Sequence, residues 1–281
     1  MSKYAPREWA PDEKPMLPGS PSTPAHPTPL RFAYLFVGIL ITITGGLGNA
    51  LVSVNLVNLQ GTLGAYSTET TWLPAAYVMA NASMNLLLVK FRQQFGLRLF
   101  TEFFLVLYAL VTFAHLFVND LGSAIAVRAA HGMLAAAISP LGLYYVLQAF
   151  KKEWRLRGVA LALGTAQLAL PLAYLFSGDL LQIAEWRGLY MFELGLALVS
   201  LGAVLMLKLP PGDRFQAFRP MDFVTFALFA PGMALLCAAL SFGRVLWWFE
   251  QPWIGVALAG AILLLAAAFS VEHNRANPLL N

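Results

Sequence analysis

Charge is scarce in this chain. Asp, Glu, Lys and Arg make up 11% of its 281 residues, against about 25% in a soluble globular domain. With 59% of the residues hydrophobic, that composition argues against a soluble core. Cysteine is nearly absent. Cys237 stands alone, which excludes an internal disulfide, and its apolar neighbours mark it as a small packing residue. The net charge is only +4, and the cations are scattered in short loops, unlike the dense basic face that nucleic acid needs. Catalytic signatures are missing as well. There is no Gly-rich phosphate loop, so direct ATP coupling is not expected, and no G-x-S-x-G elbow. His115, His131 and Cys237 do not fall at metal-ligand spacing. Neither an enzyme, a cofactor nor a nucleic-acid partner is expected. The start of the chain also lacks the apolar core and cleavage pattern of a signal peptide. Residues 1–30 are polar and proline-rich, and the expectation is a disordered cytoplasmic tail in which His26 is solvated.

What the chain has is long apolar runs. Eight are of lipid-spanning length, about 20 residues each: 32–56, 72–91, 99–118, 122–149, 157–178, 187–207, 222–245 and 253–271. The fold expected is an all-α integral membrane protein of about eight transmembrane helices. If the tail is inside, all but three of the 18 lysines and arginines fall in the tail, the inner loops or the chain's end. The exceptions are Arg128 within a run, and Arg187 and Arg244 on the outer side. Cytoplasmic loops carry the excess of basic residues, so both termini are expected in the cytoplasm. Trp247, Trp248 and Trp253 fit an outer interfacial belt.

Polar residues inside these runs are the functional candidates. Arg128 and His131 are one turn apart in the fourth run, which ends in a cluster of cations: Lys151, Lys152, Arg155 and Arg157. A cation inside a lipid-length helix is costly and usually faces a protein interior or a water-filled cavity. The alternative for Arg128 is to snorkel to the outer interface. In the first run Gly45, Gly46 and Gly48 precede Asn49 and Ser53, which share a helix face. The second run carries Asn81 and Asn85. Small residues permit close helix approach, and amides either bond across helices or line a cavity. Glu193 is an acid in an apolar run, a candidate proton carrier or an ion-pair partner of Arg187. Pro140, Pro171 and Pro231 are expected to kink their helices.

Several stretches resemble one known family. GTLGAYSTETTWLPAAYVMANA is similar to its N-L-G…W-v-x-x-a-Y-x-L-x-x-A. VKFRQQFGLRLF lies where the family has G-x-L-a-D-R-x-G-r-r. Arg128-Ala-Ala-His131-Gly132 resembles the fourth-helix R-x-x-Q-G. ALPLAYLFSGDLL and EWRGLYMFELG stand at P-x-x-G-P-x-x-G-G and W-R-W-x-F-x-x-N-x-P. The family is the fourteen-helix drug:proton antiporter branch (EmrB/QacA type) of the major facilitator superfamily. The resemblance covers residues 30–281 and is to its N-terminal part. It departs at Gly48, where the branch carries an aspartate, and at Gln93 and Gln94, where it carries an aspartate and an arginine. It departs again at Ala173-Tyr174 in place of a glycine-proline pair, and at Glu193 in place of an asparagine.

The resemblance implies a six-helix half over 31–208, built of two inverted three-helix repeats, and two additional helices with a short cytoplasmic end over 209–281. It implies proton-coupled export of small organic or drug-like compounds across a bacterial inner membrane. The substrate and proton pathway would use Arg128, His131, Asn49, Ser53, Asn81, Asn85 and Glu193. Gly96, Arg98, Gly132, Pro171 and Gly178 would be structural motif positions. One half supplies one wall of a cavity that lies between two. The chain is therefore expected to be a truncated or split form needing a second half or another copy. The competing reading is a non-transporting membrane scaffold, an assembly partner or a decayed transporter remnant.

Overall fold

The computed structural model describes residues 13–15 and 20–275. Every regular element among them is helical, as the bilayer demands of an open chain whose backbone groups must be satisfied internally. Helix α1 (Thr28–Val54) starts on an extended Pro27, with Pro29 in its first turn, where a missing N–H costs nothing. It ends at Asn55, and α2 (Leu56–Leu63) continues to Gly64, whose φ of 60° stops it. The single turn α3 (Ser67–Thr70) is closed by Glu69, whose carboxylate accepts the Tyr66 N–H at 2.8 Å. Then come α4 (Trp72–Phe95), α5 (Leu97–Ala114) and α6 (Leu121–Gln148). Gly96 alone separates α4 from α5. Its φ is 82°, a conformation that favours glycine, and a Cβ there would also press on the Arg214 side chain.

After α7 (Arg155–Gln167) the chain runs into α8 (Ala169–Met206). Pro171 is expected to kink a helix. It falls in the first turn of α8, and the interruption comes just before it, at Leu168. Among the described residues, seven stretches are apolar and long enough to cross a membrane, and the longest, Lys152–Met206, has 55 residues. Straight, it would reach about 80 Å, far beyond a hydrocarbon core of about 30 Å. It is not straight. Glu185 has φ 51° and ψ −142°, and the chain reverses there. The rings of Phe176 and Phe192 lie 5.5 Å apart, residues that a straight helix would hold about 24 Å apart. A Cβ on Gly188 would overlap the Leu180 carbonyl. The fifth and sixth runs are thus two antiparallel helical segments, so the described residues hold eight segments of lipid-spanning length. The last two are α9 (Pro220–Gly243) and α10 (Pro252–His273).

The chain forms two compact units. The first comprises Met1–Asn55, Lys90–Phe117 and Ala137–Ala217. Leu47, Leu51, Ala169, Ala173 and Leu189 form its core, between α1 and α8. Small residues set the spacing: Cβ atoms on Gly38 and Gly142 would collide with α6 and α1 respectively. The loop of the G-x-L-a-D-R kind has its own task here. Gln94 Oε1 accepts the Ala217 N–H at 2.7 Å, Gln93 O accepts the Phe215 N–H, and Arg98 Nε donates to Leu209 O. These bonds tie down the 208–219 connector.

Residues 20–27 carry no regular secondary structure, yet they make specific contacts with the rest of the first unit. Ser20 and Ser22 are buried. Gln148 donates to Ser22 O at 3.0 Å, and His26 Nε2–H donates to Gln148 Oε1 at 2.9 Å. His26 is therefore held by a partner and not simply solvated. The rest of the tail expectation, residues 1–12 and 16–19, lies outside the described residues.

The second unit comprises Leu56–Val89, Val118–Ala136 and Phe218–Asn281. Ala75, Ala239, Phe242, Ile254 and Ala257 form a core there, with Trp72 packed against it. Ser83 on α4 donates to Ala230 O on α9, next to the helix-interior Pro231.

Candidate functional site

In the second unit, the first half of α6 turns Arg128, His131 and Gly132 toward α4. Gly132 makes this possible, because any Cβ there would overlap the backbone of Tyr77. With the helices in contact, Arg128 is wholly buried. Its Nε donates to Leu73 O at 3.3 Å, and its guanidinium carbon sits 4.5 Å from the centre of the Tyr77 ring, within cation–π range. Arg128 does not snorkel: its partners are one helix away, in the protein. His131, also fully buried, meets the same tyrosine edge-on at 5.6 Å. Arg128 Nη1 lies 3.4 Å from His131 Nδ1. A guanidinium only donates, so this contact requires Nδ1 to carry the lone pair. Asn81 Nδ2 donates to Gly132 O at 3.1 Å, and Asn85 Nδ2 donates to Asn81 O at 2.9 Å. The structure thus brings Arg128, His131, Gly132, Asn81 and Asn85 into one chain of contacts. Tyr77, which joins the two charged-type side chains, was not singled out from sequence. Its spacing of four from Asn81 on α4 was the available signal.

The first unit holds the other candidates. Glu193 on α8 is wholly buried and accepts the Tyr108 hydroxyl at 2.6 Å. That hydroxyl also lies 3.2 Å from Thr44 O, and Thr44 Oγ1 is 3.0 Å from Ser200 Oγ. Tyr108 on α5 thus links Glu193 to Thr44 on α1, which in turn meets Ser200 on α8, and nothing in their sequence spacing points to this chain of bonds. Arg187 donates Nε to Leu116 O at 3.2 Å and lies over the Trp186 ring. Asn49 and Ser53 are half-buried further along α1. Asn55 donates to Ser177 Oγ at 2.7 Å, making Ser177 the joining residue of its motif. Gly178 meets nothing: a Cβ there would have open space.

A further charged cluster, in the second unit, escaped the sequence reading. Arg275 bridges Asp222 Oδ1 at 2.6 Å and Glu272 Oε1 at 2.5 Å, and Thr225 donates to that same Glu272 oxygen. All four are nearly or fully buried, beside a cavity of about 550 Å³ whose other walls are His273 and apolar residues such as Phe229, Met233 and Leu265.

The comparisons with known proteins bear on what these clusters serve. The Major Facilitator Superfamily matches residues 38–275. The efflux pump FUS6 of Gibberella fujikuroi is 25% identical over 276 residues, covering 94% of this chain and 49% of that protein. The puromycin resistance protein pur8 of Streptomyces alboniger is 27% identical, covering 90% and 50%. The probable multidrug resistance protein EmrY of Escherichia coli is 24% identical, covering 86% and 47%. The chain spans about half the length of these relatives. Among solved structures, a bacterial homolog of the human lysosomal transporter Spinster, inward-facing and unoccupied, superposes with a TM-score of 0.55 at 15% identity. It covers 87% of this chain and 61% of that one, a likeness of fold. With its apolar helices, its fourth-helix R-x-x-H-G site and a match over most of its length, this integral membrane chain belongs to the major facilitator superfamily, a family of transporters and not of enzymes.

Proposed function

We propose that this chain forms part of a secondary transporter that exports small organic, drug-like compounds in exchange for protons. The observation that carries the proposal is the enclosed Arg128–Tyr77–His131–Asn81 cluster: a cation retained at high cost inside an apolar helix marks a substrate or ion pathway. The names of the efflux and resistance relatives point to the same class of substrate. In this reading Arg128 orients the substrate or responds to the coupling proton. His131, Asn81 and Asn85 extend the polar path within the second unit; in the first unit, Asn49 and Ser53 serve as pathway residues of their own, and Glu193 with Tyr108 is the proton-carrying pair. Residues 31–208 act as a six-helix half of two inverted repeats, with 209–281 added beside it. A second half, from another chain or another copy, completes the cavity. Both termini lie in the cytoplasm of a bacterial inner membrane, in keeping with the cation distribution.

The test is flux in vesicles with an imposed pH gradient, using lipophilic cations and organic acids, with a complementary half co-expressed. Arg128→Ala is expected to abolish most of the flux, and Arg244→Ala to leave it near wild type. Equal effects would remove Arg128 from the pathway. A second reading, a non-transporting scaffold, is favoured by the way Arg128 finds its partners within the protein. Absence of flux with every complement, in a protein that still assembles, would select it.

A further inference from the structure

The turn between α6 and α7 carries more positive charge than export of a substrate calls for. A cavity of about 270 Å³ opens there, between residues 23–26 with Arg31 on one side and Gln148, residues 150–153 and Arg155 on the other. Arg31, Lys151, Lys152 and Arg155 line it against a single carboxylate, Glu153. Arg155 is held in place by donating Nη2 to Thr23 Oγ1, while its Nε is buried and has no hydrogen-bond partner among the described residues. With Arg31, Lys151 and Lys152, Arg155 gives the cavity wall a set of cationic donors able to make charge-assisted bonds to an oxyanion held there.

A second hollow, of about 190 Å³, adjoins the first and shares Arg31 and Phe150 with it. Its other walls include Phe32, Leu35 and Ala149. Arg31 stands at the junction, its Nε donating to Ala149 O at 2.6 Å. Phe32 and Phe36 are 67% and 66% exposed on the spanning helix α1, so this groove opens toward hydrocarbon. Nearby, Trp154 is 52% exposed and the Arg157 guanidinium stacks over its ring at 3.8 Å, an amphipathic pairing typical of the membrane–water boundary. A cationic cavity continuous with an apolar groove matches one molecule with a phosphate at one end and a hydrocarbon chain at the other.

We propose that this junction binds an anionic phospholipid. Its phosphate sits among Arg155, Arg31 and Lys151, and one acyl chain runs along Phe32 and Leu35. The lipid belongs to the inner leaflet on the orientation proposed above, and it ties residues 20–27 to the α6–α7 turn.

The purified 281-residue chain in neutral-detergent micelles is titrated with phosphatidylglycerol, with phosphatidylcholine of the same chains, and with inorganic phosphate. Melting temperature and lipid retained in native mass spectra are read. Because micelles have no sides, the result does not depend on the orientation or on transport. Phosphatidylglycerol is expected to raise the melting temperature and to survive in the spectra, and phosphatidylcholine and inorganic phosphate are not. Each cation near a lipid surface contributes about fivefold in affinity, so Arg155→Gln with Lys151→Gln is expected to weaken phosphatidylglycerol binding roughly 25-fold. Should that variant fail to fold, the pair Lys151→Gln and Lys152→Gln, both exposed, tests the same point. Phe32→Ser is expected to weaken lipid binding, and Arg244→Gln, the control, to leave it at wild-type affinity. Equal binding of both lipids, or undiminished binding by the cation variants, overturns the proposal. So does an inorganic-phosphate effect as large as the lipid's with Phe32→Ser silent, which would make this a free-anion site.

Discussion

Gly132 and Gly178 both match glycines of family motifs, yet only one is constrained by its surroundings. A Cβ at 132 would enter the backbone of Tyr77, whereas a Cβ at 178 meets nothing within 4 Å. Gly132→Ala is therefore expected to push α4 and α6 apart at a cost of about 1–3 kcal/mol and to disturb Arg128 and His131 with them. Gly178→Ala is expected to be neutral or to stabilise by a few tenths to about 1 kcal/mol, since alanine is the better helix former. Thermal melts in detergent compare the two, and equal effects would refute the close-approach argument. Asp120, in an exposed loop, caps α6. The Ser123 backbone N–H and hydroxyl hold its carboxyl below the usual carboxylate range. A depressed folded-state value stabilises above the unfolded value and is lost as pH falls through the folded one. The start of α6 is thus expected to keep its amide-exchange protection at neutral pH and lose it only in strong acid, while Asp120→Ala loses it throughout.

Two helical hairpins carry predictions at the next scale. The reversal at Ala184–Glu185 places an exposed residue with φ 51° between two passes. In a Cys237→Ala background, a cysteine at 185 is expected to react with a membrane-impermeant thiol reagent from the side opposite to cysteines at 151 and 208. Labelling of all three from one side would mean that α8 does not cross twice. Glu185→Val is expected to destabilise by about 1–2 kcal/mol, because a β-branched residue tolerates positive φ poorly. The α9–α10 pair is clamped by Arg275 between Asp222 and Glu272, side chains at most 9% exposed. Arg275→Leu leaves two carboxylates buried without their cation and is expected to cost about 3–5 kcal/mol. The triple change Asp222→Asn, Glu272→Gln, Arg275→Leu is expected to recover much of that in the same melt. A triple variant no better than the single one would mean that Arg275 acts by packing alone.

For the whole molecule, the spans were legible because apolar run length is a one-dimensional record of lipid contact. The expected runs at 32–56 and 222–245 became α1 and α9, displaced by four residues or fewer at each end. The fourth-helix site was legible in part: a buried arginine and an i+3 histidine advertise themselves in an apolar stretch. Tyr77 is legible only by its spacing of four from Asn81, which places it on that face of α4 but does not say that a cation crosses its ring. Reporter fusions at Lys151 and Asn281 test the proposed orientation, and both are expected to read as cytoplasmic. An external signal at either would reverse the assignment of inner and outer loops.

By itself the sequence determined that this is a helical membrane chain, where its apolar segments lie, and which polar residues sit inside apolar helices. These depend on local composition, and local composition needs no partner. Tertiary structure decided the partners. Residues 20–27 look structureless as a proline-rich string, yet they are held by Gln148, Arg155 and Pro211, more than a hundred residues away. Glu193 could be read as paired with Arg187, but the hydroxyl it accepts comes from Tyr108 on another helix. Asp222, Glu272 and Arg275 are unremarkable where they stand in the chain and form a cluster only because α9 and α10 return to the same end. A hydrogen bond forms across the space between helices, and sequence spacing does not encode that distance.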